Sequence, residues 1–268
     1  MDQFRKHGWQ RIMSTYYWGF WFALTFLSRL PGPYLKRLDP EVQQAAMWFY
    51  PLVGAILGLF LVGLVTLCFY YNPQASVFLV GALVLALWVY LTGAMHLDGV
   101  ADTADAWVGG LGDHQRTLDI MKDPRVGAMA VAAMLVVLLV KFAAITALLA
   151  QAQDNIGLLL GGLLLIPMLA RTGIIGLMAS TDYVRQHGMV TATQSAATKT
   201  KVVIMTVLLT LFAVPLLREK TLMMLLVWLG LLVAYRAALK KRLGGYTGDT
   251  LGAAVEFQET ILLVALAL

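Results

Sequence analysis

Met95-His96-Leu97-Asp98-Gly99-Val100-Ala101-Asp102-Thr103-Ala104-Asp105-Ala106-Trp107-Val108-Gly109-Gly110-Leu111-Gly112 follows directly on an apolar run, in a chain that otherwise avoids charge. At 100° per residue, Asp98, Asp102 and Asp105 fall within about 60° of one another on a helix surface. Three carboxylates on one stripe repel unless a positive charge sits between them, and a divalent cation supplies it. Such hard oxygen ligands suit Mg²⁺, with Mn²⁺ as the second candidate, better than zinc. The competing reading is a solvated acidic loop. It is the weaker one beside a membrane-spanning run, where ionisable residues are functional by default.

The apolar run in front of this stretch is one of several. The chain has 268 residues, 60% hydrophobic and 13% charged, and a soluble domain carries about twice that charge fraction. The long runs do not alternate, so they predict membrane-spanning helices rather than a β-barrel. The expected fold is all-α: one polytopic transmembrane bundle over 1–268, without repeats. Spans are expected at about 45–70, 77–95, 127–150, 156–178, 201–217, 221–238 and 250–268. The stretch Tyr16–Leu30 is short, aromatic and flanked by basic residues on both sides, which predicts an interfacial or re-entrant helix. Ser28-Arg29-Leu30-Pro31 does not resemble a signal-peptide cleavage site, so this stretch reads as retained.

Charge sorts the connections. Segments 29–44, 96–126, 179–200 and 239–249 carry most of the Lys and Arg, whereas 72–76 and 151–155 carry none. Basic loops face the cytoplasm, which places the N-terminus and the rim clusters there and the C-terminus on the far side. Arg218 and Lys220 run against the pattern. The net charge of +5 therefore reflects topology, not nucleic-acid binding. The single cysteine, Cys68, lies in an apolar run and reads as packing.

Four further groups carry candidate chemistry. Lys122, Asp123 and Arg125 precede the span that starts near Gly127, where cations suit a phosphate-bearing substrate or anchor the loop. Arg171 interrupts an apolar run; it could snorkel to the interface, but flanking Thr172 and Gly173 favour a phosphate ligand lining a polar cavity. Gly244, Gly245, Thr247, Gly248 and Asp249 form a turn that opens a helix, a geometry that suits phosphate. Lys141 sits in mid-span; unpaired it would cost about 2.5–3.5 kcal/mol, so it is expected to pair with Glu256 or Glu259. Histidine as a residue type ordinarily titrates near neutrality, so His96 is a candidate general base, or else simply a polar residue at the membrane boundary. His114 and His187 give no signal, and there is no Walker A motif, His-Glu-x-x-His or Ser–His–Asp pattern.

At His96-Leu97-Asp98-Gly99-Val100-Ala101-Asp102-Thr103-Ala104-Asp105 the chain resembles the cobalamin synthase family. The likeness extends to Phe26–Pro31, Ile120–Gly127, Lys141 and Leu243–Ala253. It departs at Pro124, where the family usually has serine, and at Ala130, where it usually has glycine. The resemblance implies a Mg²⁺-dependent, multi-pass enzyme of the bacterial inner membrane. Such an enzyme joins α-ribazole or its 5′-phosphate to adenosylcobinamide-GDP and releases GMP. In that reading Asp98, Asp102 and Asp105 bind metal, His96 or one of these aspartates takes the proton, and the glycine turn holds phosphate. A homo-oligomer, or association with other cobalamin-assembly enzymes, is compatible with it.

Three rivals share parts of this pattern. CDP-alcohol phosphotransferases carry an Ala-Arg after their first Asp-Gly that is absent here. Prenyltransferases of the UbiA type usually have two aspartate-rich motifs, against one here plus Asp249–Glu259. An ion-coupled transporter would hold its acids near the midplane, whereas most here lie at one edge.

Overall fold

In the computed structural model, which describes residues 2–185 and 196–268, the chain forms ten α-helices, and no strand occurs among the described residues. They are α1 (Asp2–Leu27), α2 (Pro40–Ala46), α3 (Tyr50–Tyr71), α4 (Val77–Thr92), α5 (Met95–Gly109), α6 (His114–Ile120), α7 (Ala128–Ser180), α8 (Ala196–Leu217), α9 (Lys220–Leu243) and α10 (Gly248–Ala267). Six segments among the described residues are long and apolar enough to cross a bilayer, and α4 with α5 forms a bent pair that makes a seventh if taken as one span. Large apolar side chains line the outside of these helices, among them Leu59 and Leu67 on α3, Leu208 and Leu211 on α8, and Leu226 and Val233 on α9. An apolar exterior over a packed interior is what a lipid solvent selects. The protein is a multi-pass membrane protein. α1 is not among the spanning helices; it packs against α2 and α3, with Phe22, Ala23, Leu24 and Leu27 buried and Trp9, Met13 and Tyr17 exposed.

Two spans expected as separate helices, 127–150 and 156–178, fall in the single helical element α7. It is nevertheless a hairpin. Lys141 and Arg171 both contact Glu259 of α10, yet 30 residues of straight helix would separate them by about 45 Å. The arms Ala128–Ala152 and Ile156–Ser180 therefore fold back on each other.

α10 is the central element. Thirteen of its residues are buried, Glu256, Gln258 and Glu259 among them, and it packs mainly on α7 and α5. Its start is fixed by a capping box in which the Thr247 hydroxyl accepts from Thr250 N–H and the Thr250 hydroxyl accepts from Thr247 N–H, a pairing that satisfies two otherwise open donors. α4 ends where Gly93 and Ala94 both take positive φ, at 61° and 57°. These two residues turn the chain by 86° into α5. The acidic helix thus runs across one rim of the bundle instead of continuing down through it.

Candidate functional site

α5 crosses the start of α10 backbone on backbone. A Cβ added to Gly99 would stand 2.4 Å from the carbonyl oxygen of Asp249, and one added to Gly252 would stand 3.4 Å from the His96 Cα. At Gly99 only glycine allows this approach, whereas a methyl at Gly252 would be in ordinary contact; the crossing brings the carboxylates of α5 together with Asp249. Asp98 is exposed and Asp102 half-buried. The Asp102 carboxyl is pushed up to about 6, first by burial and then by the neighbouring charges of Asp98 and Asp249, with Arg185 pulling the other way. Arg185 Nη2 donates to Asp249 Oδ2 at 2.5 Å.

The third aspartate of the stripe turns away to another task. Asp105 accepts from Gly127 N–H at 2.6 Å through Oδ2 and from Ala130 N–H at 2.9 Å through Oδ1. It caps α7 from a distance and ties the acidic helix to the first arm. Among the described residues, no three His, Cys, Asp or Glu side chains are already arranged as a cation cage.

Beneath the rim lies a cavity of about 420 Å³. Its walls are largely apolar, with Phe26 and Leu27 of α1, Ile174 and Met178 of α7, and Leu251 and Val255 of α10. His96, Arg185 and Gly248 complete the lining at the polar end. His96 is buried, and its Nδ1 has no hydrogen-bond partner among the described residues; Arg185 Nε is likewise without one.

The expected phosphate turn has a structural explanation for two of its glycines. Gly244 ends α9 with φ 74°, and a Cβ on Gly245 would stand 2.1 Å from the Asp182 carbonyl oxygen. That closeness comes from a short parallel bridge in which Tyr246 N–H donates to Asp182 and Val184 N–H donates to Tyr246. Thr247 is buried against Met121, and its hydroxyl serves the capping box. Gly248 alone of the turn's glycines lines the cavity, with nothing within 4 Å of where a side chain would begin.

Two other expected groups do not line this cavity. Lys122 is exposed, and Asp123 pairs with Arg125 two residues on, at 2.9 Å through Nε and 2.5 Å through Nη2. That guanidinium holds the Asp123 carboxyl down at about 2. Lys141, Arg171, Glu256 and Glu259 instead form one buried ion cluster. Lys141 Nζ reaches Glu256 at 2.9 Å and Glu259 at 2.6 Å, and lies 4.2 Å over the ring of Trp88. Arg171 Nη1 donates to Glu259 and to the Pro167 carbonyl, while its Nε and Nη2 have no partner among the described residues. Alternation of two cations with two carboxylates is what makes so much buried charge tolerable. Lys141 thus meets both glutamates that its mid-span position called for. Gln258 is satisfied separately, accepting from Trp228 Nε1 at 2.8 Å and donating to the Ala254 carbonyl.

The sequence reading passed over Arg185, Tyr183 and Tyr246. Arg185 lies in the basic loop 179–200, where it reads as a topological charge, and nothing in its spacing marks it as Asp249's partner. Tyr246 follows Gly244-Gly245, and its place in that turn was the available signal. His187 lies outside the described residues.

Fold and site together define a class: a multi-pass membrane protein whose acidic rim opens onto an apolar cavity between its helices. Comparison with known proteins narrows this. A family model described as cobalamin-5-phosphate synthase (CobS) matches residues 19–267. The chain belongs to that family. A curated adenosylcobinamide-GDP ribazoletransferase of Pseudomonas entomophila (strain L48) is 43% identical over 249 residues, covering 93% of this chain and 98% of that one. The protein of the same name from Pseudomonas syringae pv. syringae (strain B728a) is 42% identical over 252 residues, with the same coverage. That from Acinetobacter baumannii (strain ACICU) is 45% identical over 247 residues, covering 91% and 94%. No solved structure matches the chain. The family expected from the residues is the one found.

Proposed function

We propose that this protein transfers ribazole, as α-ribazole or its 5′-phosphate, to adenosylcobinamide-GDP with release of GMP, and that the rim formed by α5 and the start of α10 is where it does so. The observation that carries the reading is the crowding of Asp98, Asp102 and Asp249 around one guanidinium, that of Arg185, which also lines the cavity. In this reaction a ribose hydroxyl oxygen forms a bond to the corrinoid-linked phosphorus. The bond from that phosphorus to the bridging oxygen breaks, and GMP leaves with the bridging oxygen and its electron pair.

The residues present fit a divalent cation. Like-charged carboxylates that raise one another's affinity for protons are relieved by a hard cation with oxygen ligands. Asp98 and Asp102 would hold Mg²⁺, with Asp249 free to join if Arg185 turns to phosphate and Asp105 one turn further along the same stripe. When bound, the ion would polarise the diphosphate and neutralise the charge of the leaving group. Arg185 would neutralise a phosphate oxygen. His96, or a rim carboxylate, would accept the proton of the attacking hydroxyl. Asp105 would act by fixing α5 against α7.

The test is GMP release by purified protein in proteoliposomes given adenosylcobinamide-GDP, α-ribazole and Mg²⁺. Turnover that stops in excess chelator and returns with Mg²⁺ is expected. No GMP release would overturn the reaction, and full turnover in chelator would overturn the metal. The basic loops on the rim's side support a cytoplasm-facing site. Leu111→Cys, in a chain with Cys68 replaced by serine, should then react with an impermeant maleimide in inverted but not right-side-out vesicles; the opposite labelling would reverse the orientation.

A further inference from the structure

The proposed reaction has two substrates of very different size, and the cavity fits only one of them. A corrinoid is a substituted macrocycle several times larger than a nucleoside, whereas the space between α1, α5, α7 and α10 is about 420 Å³, at the small end of the range for ligand pockets. Its lining is also divided. The body is apolar and aromatic, with Phe26, Met178, Val255 and the Tyr183–Tyr246 pair, whose ring centroids lie 5.3 Å apart. Polar groups gather at one end. There the buried His96 Nδ1 and Arg185 Nε both lack partners among the described residues, and each is a group that the ligand must satisfy if the pocket is filled without water. At that same end Gly248 leaves the wall open, next to Asp249 and its Arg185 partner.

We infer that this cavity is the acceptor pocket: it takes a nucleoside with a flat bicyclic base, and the corrinoid stays outside it at the rim. The benzimidazole of α-ribazole lies among the apolar and aromatic walls. Its ribose lies at the polar end, within reach of His96 and Arg185, and the attacking hydroxyl points at the carboxylates of α5. The corrinoid-linked diphosphate approaches from above, across Asp98 and Asp102. This division rests on the ribazole-transfer reading and adds to it which substrate enters the bundle.

Met178→Trp tests it, since Met178 lines the cavity and carries no charge of its own. The KM for α-ribazole should rise tenfold or more, while the KM for adenosylcobinamide-GDP changes less than twofold. Met178→Ala is the complementary variant, and it should shift the preference towards ribosides with a larger base such as naphthimidazole. Misfolding cannot produce that gain. An unchanged KM for α-ribazole, or a rise in the KM for the corrinoid instead, overturns the assignment. Binding is measured separately by equilibrium dialysis of α-ribazole alone against detergent-solubilised wild-type protein. Saturable binding weakened by Met178→Trp supports the pocket even if no GMP is released, in which case only the reaction falls. Lack of binding in that assay, or a co-purified lipid chain in the cavity that α-ribazole fails to displace, overturns the pocket even where the enzyme turns over.

Discussion

Lys141→Met probes the buried ion cluster most sharply, because its two glutamates do not depend on it equally. Glu259 is shared between Lys141 and Arg171, while Lys141 is Glu256's ion-pair partner among the described residues. All of these side chains are buried. Removing the ammonium therefore strands Glu256 and leaves Glu259 with its guanidinium. Breaking a buried pair from one side costs about 3–5 kcal/mol, and the loss of the contact over Trp88 belongs within that range. A second substitution should then separate the two carboxylates. Lys141→Met with Glu256→Gln removes the stranded charge and should recover most of the loss. Lys141→Met with Glu259→Gln strands Arg171 as well and should recover little or none. The measurement is reversible unfolding in mixed micelles with increasing SDS, followed by tryptophan fluorescence and circular dichroism. A cost below about 1 kcal/mol for Lys141→Met, or equal rescue by the two glutamine substitutions, would refute the arrangement of charges described above.

The other expected outcomes concern the rim. Asp98→Asn and Asp102→Asn should each lower GMP release at least a hundredfold and raise the Mg²⁺ concentration needed for half-maximal rate, whereas Asp105→Asn should mainly lower stability, by about 1 kcal/mol for a lost cap; activity and thermal unfolding measured side by side separate the two. Gly99→Ala should destabilise by about 1–3 kcal/mol through overpacking against the Asp249 carbonyl, while Gly248→Ala, which meets nothing within 4 Å, should be tolerated in the same unfolding assay. Carbon-detected NMR should find Asp123 titrating near 2 in the wild type and back in the ordinary carboxylate range in Arg125→Ala. Because that carboxyl is lowered, the ion pair persists across neutral pH and is lost only as pH falls through about 2.

Most of the bundle was legible because lipid imposes a one-dimensional signal: apolar runs of fixed length, broken where charge collects. The acidic stripe was legible for the same reason, since Asp98 and Asp102 had no apolar alternative to hide among. What spacing could not reveal was which polar group meets which. Asp105 is one turn from Asp102 on the same face, yet its oxygens serve the backbone of Gly127 and Ala130, residues whose approach depends on how α6 folds back. Asp123 looked like a substrate contact and instead closes a ring with Arg125. Gly244 and Gly245 have the composition of a phosphate loop, but a helix end and a close carbonyl account for them. Arg185 was invisible because a cation in a basic loop carries no mark of the one carboxylate it will meet.

Both arms of α7 bring a cation into the interior, and α10, which carries the carboxylates that neutralise them, follows them in the chain. During synthesis Lys141 and Arg171 thus enter the bilayer as uncompensated charges and wait for α10 to arrive. The late helix therefore completes the neutralisation: until it docks, the nascent chain carries two cations without the carboxylates that pair with them in the folded bundle.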